Sequence, residues 1–273
     1  MNDWLEIPTL AILSLNRRRD RRNVAVCSAL WGGFDIRHTH FFDAKDAKDY
    51  KSVDYLLKEA IEDEFPEFEA LWGYPGPKDE LSEQEQRMGF APVAYAWSLC
   101  RYFRYLERVD RPEFFIHDDM YGRPFKHFHV NQLMLMHIHN SSILKQFCHV
   151  RNIDFGCFLL NTQSKGLCSV QPYVFEVVVA GTHCLNLKAG LYSPYGASLI
   201  LERLRHQVSL GIRTPKAFLE TLESMNGWSP PGVFSTTEPL FLEFSDNFLG
   251  SDIRGAPSLQ GHLGKLFSEI KPS

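Results

Sequence analysis

Hydrophobic and polar positions along the chain switch between short unbroken apolar runs and stretches with helical spacing. Ile7 to Leu15 is an apolar run of strand length that gives way abruptly to polar residues, as in the centre of a parallel sheet. Asn16 to Asp20 form a loop. Val24, Val26, Cys27 and Leu30 then fall at spacings that predict a short helix from Arg21 to Leu30, stopped by Gly32-Gly33. Thr39 to Phe42 predicts a second strand, ending at Asp43-Ala44-Lys45-Asp46. Strand, helix and strand in this order open a βαβ unit.

From Asp54 to Glu85 there are eleven acidic residues against two lysines, with Tyr55, Leu56, Ile61, Phe65, Phe68, Leu71 and Trp72 between them. This predicts one or two amphipathic helices with a solvated face, the competing reading being an acidic arm for a basic partner. Tyr74-Pro75-Gly76-Pro77 is turn chemistry. Pro92 to Val109 carries helical periodicity, with Pro92 suited to the first turn. After Arg111-Pro112, Glu113-Phe114-Phe115-Ile116 predicts a strand that runs straight into His117-Asp118-Asp119. Phe155 to Leu160 and Tyr173 to Val179 are further predicted strands, and Ala197 to Leu210 and Pro215 to Met225 further helices.

The fold class read from this order is α/β, a mixed sheet flanked by helices in a single domain over residues 1–243. Residues 54–89 form an acidic helical insertion, and the Gly- and Ser-rich residues 244–273 a C-terminal extension. The 273 residues allow one large domain or two small ones, and 44% apolar, 23% charged and 13% aromatic residues exclude disorder, collagen-like repeats and coiled coil. A net charge of −4 offers no diffuse footprint for nucleic acid, although Arg17, Arg18, Arg19, Arg21 and Arg22 make a local basic patch. The six cysteines lack C-x-x-C spacing and read as reduced core fillers. Neither a signal peptide nor a membrane span is visible, so the expectation is a cytoplasmic protein.

The sharpest chemical feature is Asp118-Asp119 at the end of an apolar strand. Two adjacent carboxylates there are costly unless a cation or several donors face them. The carboxyl end of a strand is also where α/β proteins bind ligands. Hard oxygen donors suit Mg²⁺ or Mn²⁺ bridging a diphosphate. The plain alternative is an Asp-Asp turn or a cap for the next element. The arginine patch likewise reads as a diphosphate contact or as a solvated helix start.

Three segments together, Leu13-Ser14-Leu15-Asn16-Arg17-Arg18-Arg19-Asp20-Arg21, Phe41-Phe42-Asp43-Ala44-Lys45-Asp46 and His117-Asp118-Asp119, resemble the lipooligosaccharide-type glycosyltransferases (glycosyltransferase family 25). Ser98 on the Pro92–Val109 helix, Tyr192-Ser193-Pro194-Tyr195-Gly196-Ala197 and Glu238-Pro239-Leu240 follow in the family's order, over about residues 8 to 242. His117 stands where the family has Glu, Leu99 where it commonly has His, and Lys216 where an aspartate is usual. The acidic segment is also longer.

The resemblance implies a GT-A-like, Rossmann-type fold. The activity it implies is metal-dependent transfer of a sugar from a nucleotide sugar, UDP-linked, to a glycan hydroxyl. Leu15, Asn16, Arg17, Arg21, Asp43, Ala44, Asp46, Ser98 and His117 would line the nucleotide, and Asp118, Asp119 and His183 would hold Mn²⁺ or Mg²⁺. An inverting route needs a carboxylate base, with Asp118, Glu220, Glu223 and Glu238 available. Two other readings use the same chain. His117, Asp119 and His183 match the ligand types of an Fe(II)/2-oxoglutarate-type oxygenase, although residues 184–202 hold no arginine for the oxoacid. A non-catalytic glycan-binding module suits the aromatic content but leaves Asp118-Asp119 unexplained. His127-x-His129 and His137-x-His139 place paired rings on one strand face, as zinc ligands or as the half-exposed rings of a hairpin.

Overall fold

The computed structural model describes residues 9–71, 91–109, 111–122, 154, 156–160, 167–171, 174–177, 187–209, 233–236 and 241–243. In chain order the main elements are β1 (Leu10–Leu15), α1 (Arg19–Trp31), β2 (Thr39–Ala44), α2 (Val53–Glu62), α3 (Ala91–Arg108), β3 (Glu113–His117) and β4 (Met120–Gly122). They are followed by β5 (Cys157–Leu159), β6 (Leu167–Gln171), β7 (Val174–Val177), β8 (Ala189–Tyr192), α4 (Pro194–Ser209), β9 (Val233–Thr236) and β10 (Phe241–Glu243). Eight of the strands form one mixed sheet in the order β2-β1-β3-β8-β5-β9-β7-β6, and β4 pairs with β10 in a second, two-stranded one. The expected α/β class therefore holds, with β1 parallel to both β2 and β3 and β8 antiparallel to β3.

Alternation along β1 divides the core. Leu10 and Ile12 join Ala25, Ala29 and Phe34 of the α1 side, together with Phe114 and Ile116 of β3. Ala11 and Leu13 face the opposite layer, where α2 and α3 bury Leu56, Leu57, Trp97 and Phe103 against Phe115. Helices thus cover both faces of β1 and β3, which explains why both strands read as continuous apolar runs. The described part of the acidic segment is helical, and its Leu56, Leu57, Ala60, Phe65, Phe68 and Leu71 belong to that same core. The stacked rings of Tyr102 and Phe115, 4.2 Å apart, fix α3 over β3.

Element ends differ from the expected ones for physical reasons. α1 starts at Arg19, because Asp20 suits the positive first turn of a helix. α4 starts at Pro194, because the Ser193 hydroxyl accepts the Gly196 N–H at 2.9 Å and donates to the Gly156 carbonyl at 2.9 Å. A Cβ on Gly196 would lie 2.1 Å from that carbonyl. Much of the Tyr192–Ala197 segment is thus accounted for by capping and close packing. Among the described residues no helix is long and apolar enough to cross a membrane.

Candidate functional site

The chain leaves β1 through α1 to β2 on one side, and returns to β3 on the other. The carboxyl ends of β1 and β3 therefore border the crevice where open α/β sheets take ligands. The pairing of Leu13 with His117 brings Ser14 level with Asp118. Strand alternation then turns His117 toward α3 and Asp118 toward α1.

Asp118 is 6% exposed, and it accepts a hydrogen bond from the Ser14 hydroxyl at 2.6 Å. Arg21, in the first turn of α1, lies 3.3 Å from its other oxygen and 4.0 Å from Asp119 Oδ2. Lys188, just before β8, brings Nζ within 3.6 Å of the same Asp119 oxygen. It stands there because the β3–β8 register places it opposite His117, whose N–H donates to the Lys188 carbonyl at 3.0 Å. Asp119 Oδ1 is buried with no hydrogen-bond partner among the described residues.

The two carboxyls titrate apart. Burial pushes Asp118 up to about 6, against the pull of Arg21, and the neighbouring Asp119 charge pushes the same way. Asp119 is also penalised by burial, yet Lys188, His117 and Arg21 outweigh that and hold it below the ordinary carboxylate value. Burial drives His117 down to about 3, so its ring is neutral at physiological pH. The Tyr95 hydroxyl lies 2.8 Å from His117 Nδ1, and the ring meets Phe115 edge-on. His117 is thus a buried neutral strut where the resemblance expects an acid.

The rim is built of ion pairs. Arg17 pairs with Asp46, Arg18 with Asp20, and Arg22 with Asp43. Arg22 also donates to the carbonyls of Ser14 and Leu15, both at 3.2 Å, tying the ends of β1 and β2 together. Ser98 is fully buried. Its hydroxyl accepts the Lys45 N–H at 2.8 Å and donates to the Ala94 carbonyl at 2.7 Å, so it props the loop after β2 from beneath.

Of the expected site residues, Leu15, Asn16, Arg17, Asp43, Ala44, Asp46, His117, Asp118 and Asp119 stand at the carboxyl ends of β1, β2 and β3 or the turns that leave them, and Arg21 in the first turn of α1. His183, Glu220, Glu223 and Glu238, and the paired histidines of residues 127–139, lie outside the described residues. Lys188 and Ser14 are the residues that sequence reasoning did not assign to the site, and Arg22 was read only as part of the basic patch. Ser14 had left a signal, a hydroxyl inside an otherwise apolar buried strand, which demands a partner.

Among the described residues no three His, Cys, Asp or Glu side chains converge as a cage for a metal. The residues that could hold a hard divalent cation are Asp118 and Asp119, and Asp119 Oδ1 is the oxygen without a hydrogen-bond partner among the described residues. No protein-family model matches the chain, and no curated protein matches it.

Proposed function

We propose that this protein is a GT-A-like glycosyltransferase that moves a sugar from a nucleotide sugar, UDP-linked, to a glycan hydroxyl with the help of Mn²⁺ or Mg²⁺. One observation carries the reading: two carboxylates and two cations, Asp118, Asp119, Arg21 and Lys188, meet at the crevice between β1 and β3, with one carboxylate oxygen unpartnered among the described residues. The helical layers on both sides of a mixed sheet support it, whereas the oxygenase alternative belongs to antiparallel jelly rolls.

Each residue has a part in this reading. Asp119, and Asp118 beside it, hold the divalent ion; when bound, that ion offsets the charge that gathers on the departing nucleotide diphosphate. The Arg21 guanidinium offers its fork to phosphate oxygens. Ser14 fixes the rotamer of Asp118, and the Arg17–Asp46 and Arg22–Asp43 pairs set the loops along which the nucleoside lies. The acceptor oxygen forms its bond to the anomeric carbon as the bond to the diphosphate oxygen breaks, and the hydroxyl proton passes to a carboxylate.

Release of UDP from a panel of UDP-sugars, with Mn²⁺ and mixed glycan acceptors, tests the reading. The wild type releases UDP in an acceptor-dependent way, and Asp119→Ala loses about a hundredfold or more of that rate. Absence of turnover with every nucleotide sugar and metal would contradict it.

A further inference from the structure

The chain between β2 and the turn Ala47–Asp49 is held from two directions. On the α1 side Arg22 pairs with Asp43 and Arg17 with Asp46. On the other side the anchor is Lys45. Its backbone N–H donates to the Ser98 hydroxyl at 2.8 Å, and its Nζ donates to Glu59 Oε1 at 2.7 Å. The same ammonium stands 4.0 Å from the centre of the Trp97 ring, which is fully buried. A cation over a tryptophan face is attracted by the ring's quadrupole, most strongly where water is scarce. The partners are fixed in turn. Trp97 Nε1 donates to Asp63 Oδ2 at 3.0 Å, and Arg101 Nε lies 3.3 Å from that oxygen while its guanidinium donates to the Asp43 carbonyl at 3.4 Å. The Tyr50 hydroxyl hydrogen-bonds the Glu59 carboxylate. An isolated surface ion pair contributes little, but here one loop residue is gripped by a carboxylate, an aromatic face and a buried hydroxyl.

We infer that Lys45 is a positioning residue for the nucleoside of the donor: through Glu59 and Trp97 it locks the Asp43–Asp46 loop to α2 and α3, and so makes the acidic segment part of the frame of the nucleotide subsite. The inference rests on the nucleotide-sugar reading above. Glu59 and Asp63, which the composition of that segment presents as members of a solvated acidic face, are the two carboxylates that reach this network. The Lys45 ammonium is engaged by Glu59 and Trp97, so it acts through the backbone of the loop and not by touching phosphate. A loop fixed beforehand loses less freedom when a nucleoside lies along it. Its anchor therefore lowers KM and leaves the chemical step alone.

Calorimetric titration of the full chain with UDP and with inorganic pyrophosphate, each with saturating Mg²⁺, separates the nucleoside from the diphosphate. Lys45→Met is expected to weaken UDP about tenfold and to leave pyrophosphate within about twofold of wild type. With a UDP-sugar its KM rises by the same factor while kcat stays within about twofold. Amide hydrogen exchange over residues 43–50 becomes faster in the free variant. Lys45→Arg keeps a cation over Trp97 and restores UDP affinity to within about threefold of wild type. Glu59→Gln, which removes one partner and leaves the lysine in place, weakens UDP in the same direction by about threefold, and carries the test if Lys45→Met does not fold. Unchanged UDP affinity or unchanged exchange in the folded variants, or an equal loss for UDP and pyrophosphate, overturns the role of Lys45 and leaves the transferase reading standing. A wild type that binds neither ligand overturns both.

Discussion

At the scale of single residues, the adjacent carboxyls of Asp118 and Asp119 differ because their surroundings differ. Asp118 is sealed between Ser14 and Arg21, and burial prevails; Asp119 is buried too, but Lys188 and its other charged neighbours together outweigh that burial. Ser14 supplies a hydroxyl donor to a buried carboxylate, so Ser14→Ala is expected to destabilise the fold by about 1–3 kcal/mol at pH 7.5, read from the denaturant midpoint. A cost near zero would mean that water replaces the hydroxyl.

At the opposite end of β3, Glu113 is 1% exposed, with neither carboxyl oxygen hydrogen-bonded in ordinary geometry among the described residues and His40 Nε2 at 3.8 Å. Burial pushes it up from 4.5 to about 7, against the pull of Thr9, Arg111 and Tyr102. A carboxyl raised in the folded state contributes stability that is fully present below pH 4.5 and is lost as pH rises through about 7. That loss is about 3 kcal/mol. Glu113→Gln cannot ionise, so the variant is expected to match wild type in Tm near pH 4.5 and to exceed it at pH 8. A Tm difference that is the same at both pH values would show that the carboxyl is solvated.

At the scale of elements, strand ends and helix starts decide where the chemistry stands. The first βαβ unit was legible because Leu10–Leu15 is apolar on both faces and Asp20 and Gly32-Gly33 bracket the helix. The strand before Asp118 was legible for the same reason, and the doublet stood out as polar groups directly after it. Strand β8 was not: Ala189-Gly190-Leu191-Tyr192 is four residues long with no β-branched side chain. With β8 unseen, nothing in the sequence brings Lys188 to Asp119. The Arg17, Arg21 and Arg22 side chains were visible as a basic patch, but which aspartate each meets depends on the register of β1 with β2 and β3.

Gly196 provides a test at this scale. Its Cα packs on the Gly156 backbone, and a methyl there meets a carbonyl oxygen at 2.1 Å, which backbone cannot yield cheaply. Gly196→Ala is expected to cost about 3 kcal/mol or more, seen as a fall in the denaturant midpoint, by shifting α4 away from β5. A midpoint within experimental error of wild type would show that the helix start is loosely seated.

For the whole molecule, the near-neutral average conceals an organised distribution of charge. Acidic side chains crowd the outer face of α2 and the residues after it, while arginines and their aspartate partners gather at the carboxyl ends of β1, β2 and β3. Both helical layers converge on this edge, α1 carrying Arg21 and α3 carrying Ser98 and Tyr95. The sheet thus supplies two carboxylates and a lysine, and the helices supply the arginine and the supports that hold the loops.

A thermal-shift series with UDP, Mn²⁺ and the two combined, on wild type and Asp119→Ala, tests the central claim most directly. A ligand at a hundredfold excess over its Kd stabilises the folded state by about 2.7 kcal/mol. The account predicts that UDP with Mn²⁺ raises the wild-type Tm by more than the two separate shifts together, and that Asp119→Ala loses the gain. No shift with any nucleotide and metal, or a shift that survives in Asp119→Ala, would contradict it.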